Sequence, residues 1–239
     1  MDNLMAIRPP AESFVRKFIR RMLFLLAYFG WVKHTMSHRV KTTVLGFSIV
    51  VPPTVFHPRY YFTSKFLGEY LMGLPLEGKK LLDAGSGSGI LSLAAASAKA
   101  IVTSVDINPA AVDATIENAR RNGLADRILA LQMDLTANPH TGSHGFDYVV
   151  SNPPFYSGEP QTMAEKAFRR GSTSDFFHSL AALLPDLLLP RGVAILVLSS
   201  DVDIESCLQP FKEKQFEPHL VRTKRLPFET LSLIELHRI

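Results

Sequence analysis

From Lys80 to the carboxyl terminus the chain alternates short β-branched or apolar runs with helical ones, almost without interruption. Strands are expected at 81–84, 101–105, 128–132, 146–150 and 193–198, and helices at 90–98, 109–122, 175–189 and 203–214. Two β-rich stretches, 218–223 and 231–237, close the chain and are separated by a linker too short for a crossover. Such alternation requires a parallel sheet with helices on both faces, because parallel neighbours need crossover connections. The final pair must run antiparallel. The expected fold is therefore α/β: a doubly wound, seven-stranded, mostly parallel Rossmann-like sheet ending in a β-hairpin. Pro109 opens one helix and Gly123 follows it, the usual asymmetry of helix ends.

Ahead of this unit, 42–51 is β-branched and aromatic around Gly46, which predicts a small hairpin. Residues 63–72 carry apolar side chains at helical spacing, with Thr63 or Ser64 as the cap. Apolar residues make up 46% of the chain, enough for a large core and too many for a disordered protein. The lone cysteine, Cys207, excludes an internal disulfide and fits a reducing compartment, the cytoplasm. Charge is uneven. Residues 1–50 hold eight Lys or Arg against Asp2 and Glu12, a balance of +6, so the +4 of the whole chain leaves the remainder at −2.

The basicity thus belongs to an extension, residues 1–41, preceding a domain at 42–239. Within it Arg16-Lys17-Phe18-Ile19-Arg20-Arg21 leads into eleven uncharged residues, 22–32, far fewer than the roughly 20 that cross a bilayer. No small-residue cleavage site follows. Three uses stay open: a helix packed on the domain, a peripheral membrane contact, or a basic arm for nucleic acid or another acidic partner.

The first sheet strand runs into Asp83-Ala84-Gly85-Ser86-Gly87-Ser88-Gly89, at the sheet end where open α/β folds bind ligands. A dinucleotide fingerprint, Gly-x-Gly-x-x-Gly, would need glycine where Ile90 or Ser92 stands. A carboxylate at a strand end attracts a cationic ligand and repels a pyrophosphate, which favours S-adenosylmethionine, with its sulfonium and ammonium. The second strand ends in Asp106-Ile107, placed to accept ribose hydroxyls, and the third leads into Asp134-Leu135. There Asp134 suits an adenine amine, with Leu135 or Ile107 on the ring. Each acid alone is an ordinary turn residue; three at successive strand ends form a set.

The fourth strand ends Ser151-Asn152-Pro153-Pro154-Phe155-Tyr156 at the same sheet end. A planar NH₂ is a weak nucleophile, and a site that methylates it must hold both N–H bonds so that its lone pair faces the donor. The Asn152 side-chain oxygen and the Pro153 carbonyl are neutral acceptors for that task, and Phe155 offers a flat face for a planar substrate. Pro154 and Tyr156 extend the acceptor-binding surface. A strong general base is not needed, because the proton becomes acidic only as the methyl bonds.

At these residues the chain resembles the class I S-adenosylmethionine-dependent methyltransferases of the amino-methylating branch. It is most similar to the HemK/PrmC-type glutamine N-methyltransferases and the related methyltransferase small domain proteins, over roughly residues 50–239. The resemblance implies that Asp83, Gly85, Gly87, Gly89, Asp106 and Asp134 line the cofactor and that Asn152 to Phe155 hold the acceptor. The acceptor is then a protein glutamine or a nucleic-acid base. Members that modify release factors carry a longer helical substrate domain and a Pro-Arg-x-x-Thr-Glu run. Here Pro58-Arg59 leads instead to Tyr60-Tyr61-Phe62-Thr63-Ser64, without the Glu. The stretch 55–62 is either an aromatic lid of the acceptor side or a packed connector.

Other constellations carry less. His140 and His144 lie among Pro139, Gly142 and Gly145 with no third ligand, so no metal is expected. Lys224-Arg225 and Arg169-Arg170 can approach phosphates or simply face water. No serine stands at a nucleophile elbow. The alternatives to an N-methyltransferase are a non-catalytic cofactor- or nucleic-acid-binding module on the same fold, or an NAD-dependent oxidoreductase.

Overall fold

Neighbouring residues of the central strands bury their side chains on opposite faces of one sheet. Leu81, Val150, Ile195 and Val197 join one apolar cluster, while Leu82, Val149, Leu196 and Leu198 join another on the far side. Period-two alternation sends successive side chains to opposite faces, and both faces are apolar because both are covered. The computed structural model describes residues 38–58, 62–135, 145–153, 175–227 and 229–239, together with Arg20, Met22 and Leu23.

The sheet comprises β3 (Lys80–Ala84), β4 (Ile101–Asp106), β5 (Ile128–Gln132), β6 (Phe146–Ser151), β7 (Leu188–Ser199), β8 (Phe216–Arg225) and β9 (Thr230–Arg238). Their spatial order is β5-β4-β3-β6-β7-β9-β8, parallel from β5 through β7, with β9 antiparallel to both β7 and β8. The seven strands and closing hairpin expected from the sequence are all present. Helices α1 (Phe62–Met72), α2 (Ile90–Ser97) and α3 (Pro109–Arg121) cover one face; α4 (Asp175–Leu187) and α5 (Ile204–Glu213) cover the other. Cys207, on the inward side of α5, is buried in the second core.

The hairpin β1 (Val40–Val44) and β2 (Phe47–Val51) turns at Leu45-Gly46, both with positive φ as a two-residue turn demands. It docks on α3 in an unusual way. Asn118 accepts from the Val50 N–H at 2.7 Å and donates to the Val50 carbonyl at 2.9 Å, and Asn122 does the same to Ser48 at 3.1 and 3.0 Å. Two asparagines one helical turn apart therefore stand in for a neighbouring strand.

Helix α1 begins at Phe62, so Thr63 and Ser64 lie in its first turn and not at its cap. Both are buried, and the Ser64 hydroxyl accepts from the Asn152 side chain. Asn108 caps α3 by accepting from the Ala110 N–H at 3.0 Å, with Pro109 at the first position as expected. Of the amino-terminal segment, Arg20 forms an ion pair with Asp201, just beyond β7, while Met22 and Leu23 are exposed. The remainder of that segment, His140, His144, Arg169 and Arg170 lie outside the described residues. Among the described residues no helix is long and apolar enough to cross a membrane.

Candidate active site

Strand order reverses at β3: the chain leaves it for β4 on one side and returns through β6 on the other. The crevice at the carboxyl ends of such strands is the usual ligand site of an open α/β sheet. Here it is bounded by Gly85–Gly89 after β3, Asp106-Ile107 after β4, Asp134-Leu135 after β5 and Asn152-Pro153 after β6. The structure brings all of these together. Pro154, Phe155 and Tyr156 lie outside the described residues.

The glycine loop is anchored from below. Gly85 and Ser86 N–H groups donate to the Val105 carbonyl at 2.9 and 3.0 Å, and Gly89 N–H closes back on the Ser86 carbonyl at 2.8 Å. Gly85 has φ +81°, with no heavy atom within 4 Å of the place a Cβ would occupy, so open space adjoins the loop there. Gly89 also has positive φ, +77°, but its missing Cβ would strike the Thr115 side chain at 2.9 Å. The first glycine leaves room for a ligand, whereas the last leaves room for helix α3.

Asp106 is fixed by the loop it faces. One carboxylate oxygen accepts from the Gly87 N–H and the other from the Asn108 N–H, each at 2.9 Å. Each oxygen retains a second lone pair for a ligand hydroxyl. Burial pushes its pKa upward, against the pull of the amides of Asn108, Gly87 and Ile107. Asp134, Ile107 and Leu135 are half-buried along the same edge.

Asp83 lies beneath the loop, fully buried. One of its oxygens accepts from the Ser92 hydroxyl at 2.5 Å, and Ser92 in turn contacts the Ser104 hydroxyl at 2.6 Å. The other oxygen is buried without a hydrogen-bond partner. Burial drives its pKa up to about 7, opposed by Ser92 and reinforced by the nearby Asp106.

On the β6 side, the Ser151 hydroxyl donates to the Ala84 carbonyl at 2.8 Å and locks the two strand ends together. Asn152 donates from Nδ2 to the Ser64 hydroxyl at 2.9 Å, while its Oδ1 is buried with no partner. Pro153 is buried beside it. Opposite, Asn108 donates to the Thr54 carbonyl and hydroxyl at 3.1 and 3.2 Å, and Val55, His57 and Pro58 are buried. That part of 55–62 is a packed connector; Arg59, Tyr60 and Tyr61 lie outside the described residues. Sequence reasoning missed Ser64, Thr115 and Asn118. The last, fully buried, also donates to the Ser88 carbonyl at 2.9 Å and ties the glycine loop to β2.

The methyltransferase small domain family matches residues 47–214, which includes the glycine loop, all three acids and Asn152-Pro153. The chain belongs to this family. Among its relatives is the tRNA1(Val) (adenine(37)-N6)-methyltransferase of Shewanella loihica, 34% identical over 129 residues, 51% of this chain and 53% of that protein. Methyltransferase HEMK2 of Homo sapiens is 31% identical over 168 residues, 64% of this chain and 75% of the human protein. The chain matches about half the length of the tRNA methyltransferases. Among solved structures, the T. thermophilus 16S rRNA N2 G1207 methyltransferase (RsmC), in complex with AdoMet and guanosine, shares the fold. Its TM-score is 0.59 at 24% identity, covering 84% of this chain and 50% of that one. The family match and the shared fold agree with the resemblance and the α/β architecture expected from the sequence. Among the described residues no group of three or more His, Cys, Asp or Glu is arranged to hold a metal ion.

Proposed function

We propose that this chain transfers a methyl group from S-adenosylmethionine to a planar amino or amide nitrogen, of a nucleic-acid base or a protein glutamine, in the cytoplasm. The observation that carries the reading is the Asn152 amide: its nitrogen is taken by Ser64 while its oxygen is buried and unpaired at the switch point. A buried acceptor without a donor costs roughly 1–3 kcal/mol, and a substrate N–H would remove that cost.

The residues fit the cofactor. Open space beside Gly85 and Gly87 admits a ligand against the backbone, and Asp106 is pre-set to accept two hydroxyls. The unpaired Asp83 oxygen supplies negative charge beneath the loop. Asp83, Gly85, Gly87, Gly89, Asp106, Ile107, Asp134 and Leu135 would hold it. When bound, the sulfonium supplies an electrophilic methyl group.

The protein's own task is then orientation. Asn152 Oδ1 and the Pro153 carbonyl accept the two N–H bonds of the acceptor and aim its lone pair; Phe155 stacks on the ring or amide plane. The Ser151–Ala84 bond fixes the distance between this clamp and the glycine loop. Positioning of this kind supplies several kcal/mol of barrier reduction without a charged base.

Calorimetry with S-adenosylhomocysteine tests the cofactor half, and labelled cofactor with cell extract, digested separately by protease and nuclease, tests the acceptor half. Binding of NADH in place of S-adenosylhomocysteine would overturn the reading. So would full transfer activity in Asn152→Ala.

A further inference from the structure

Strand β8 is the edge of the sheet and runs parallel to β7, so its last residues reach the same end of the sheet as Asn152. They are Val221-Arg222-Thr223-Lys224-Arg225, three cations in four positions with no acid among them. Arg222 and Lys224 lie over the Phe66 ring, 5.8 and 5.7 Å from its centroid. Phe66 is two residues along α1 from Ser64, which holds Asn152, and Lys65 between them is exposed. The ring therefore seats a pair of like charges against the same helix whose first turn holds Asn152.

The counter-charge is thin. Glu69 reaches Lys65 with one oxygen and Lys224 with the other, both at 3.9 Å, and among the described residues Arg222 and Arg225 have no ion pair. Three cations on this face, Lys65, Arg222 and Lys224, thus stand against one carboxylate, on a part of the chain (residues 51–239) whose overall balance is −2. Alternate residues of a strand project to one side about 6.7 Å apart, so Arg225 turns to the face opposite Arg222 and Lys224. Arg222 and Lys224 therefore present a regular cation spacing, which suits the repeating phosphates of an extended strand better than the irregular carboxylates of a protein surface.

We propose that Arg222 and Lys224 of β8, with Lys65 beside them, form the docking strip for the phosphate backbone of a single-stranded polynucleotide whose base enters at Asn152. This rests on the acceptor-clamp reading above and narrows its substrate to a nucleic acid. Cations at an edge strand also discourage pairing with another sheet, but that purpose needs neither their clustering at one end nor the aromatic seat.

The test is fluorescence anisotropy with a labelled single-stranded RNA oligonucleotide over a potassium chloride series, using the full chain. One variant, the β8 variant, combines Lys65→Gln, Arg222→Gln and Lys224→Gln, which keeps aliphatic stems over Phe66. A control combines Lys99→Gln, Arg127→Gln and Lys214→Gln at the opposite end of the sheet. The β8 variant should lose on the order of ten-fold or more in affinity, and its log–log salt slope should flatten by about 2, at about 0.7 per phosphate contact. The control should match wild type. Equal loss in both variants, an unchanged slope in the β8 variant, or no RNA binding by wild type overturns the strip. Calorimetry with S-adenosylhomocysteine separates the two claims. Cofactor binding with RNA affinity indifferent to β8 defeats the strip alone; β8-dependent RNA binding without cofactor binding defeats the transfer reading alone.

Discussion

Asn152 Nδ2 donates to the Ser64 hydroxyl at 2.9 Å, and this one bond decides which end of the amide faces the crevice. With the nitrogen occupied, Oδ1 is presented as an acceptor. Removing the hydroxyl frees the amide to rotate and to offer a donor where the proposed substrate would also bring donors. Ser64→Ala should therefore lower kcat about ten- to a hundred-fold, the scale of a small misalignment of reacting groups. Affinity for S-adenosylhomocysteine should remain within a few-fold. Ser64→Thr retains the hydroxyl and should recover much of the rate, an outcome that a purely packing role for Ser64 does not give. Steady-state kinetics on the two variants decide it.

Gly85 and Gly89 belong to one motif but are glycines for different reasons. Both have φ near +80°, which costs an L-residue about 1–2 kcal/mol. Only at Gly89 would a Cβ collide, with Thr115 at 2.9 Å. Gly89→Ala should lower the urea midpoint clearly further than Gly85→Ala. Gly85→Ala should instead lose cofactor affinity, since its methyl would point into open space that a ligand needs. Equal effects of the two changes on both measurements would contradict this division.

The parts of this fold and site that could be read in the sequence are those encoded locally. Leu81–Gly89 announces a strand, a tight loop and a helix within one window, and the acids at 83, 106 and 134 announce themselves by ending consecutive strands. Ser151-Asn152-Pro153 is legible for the same reason. Ser64 was not, because its role depends on a partner 88 residues away. By local criteria a serine near a helix start is a cap. Asn118 and Asn122 look like ordinary polar residues on a helix, and only the three-dimensional position of β2, 68 to 74 residues away, makes them strand surrogates. The basic strip of β8 was visible as charges, but its seat on Phe66 was not.

Asn118 is a point where stability and site geometry meet. It satisfies both backbone groups of Val50 and the carbonyl of Ser88, all from a fully buried amide. Asn118→Ala leaves three buried polar groups unpaired, and should destabilise the fold by about 3 kcal/mol or more. Asn118→Asp keeps the acceptor for Val50 N–H but faces two carbonyls with no donor, so it should be no better. Asn122→Ala, at the half-exposed end of the same ladder, should cost distinctly less. Urea denaturation of the three variants gives the ranking, and parity between Asn118→Ala and Asn122→Ala would refute the surrogate-strand account.

Asp83 makes both stability and binding depend on pH, in opposite directions. Burial raises its pKa to about 7, above the ordinary 3.8 that it regains on unfolding. The folded, ligand-free protein therefore holds that proton more tightly than the unfolded chain. Its contribution to stability is complete below about pH 4 and is lost as pH rises through about 7. Other carboxylates, Glu77, Glu117 and Asp147, are shifted downward and lose stability in acid, so the Asp83 contribution must be read by difference. Asp83→Asn cannot ionise, and its stability relative to wild type should rise steadily between about pH 4 and about pH 7. A cationic ligand reverses the preference, since it favours the carboxylate. Affinity for S-adenosylhomocysteine, whose ammonium persists, should tighten from about pH 5 to about pH 7, approaching at most ten-fold per unit, with proton release detectable in buffers of different ionisation enthalpy. In Asp83→Asn that pH dependence should flatten and the affinity fall. Undiminished pH dependence in the variant would show that the buried carboxylate is not the group that senses the ligand's charge.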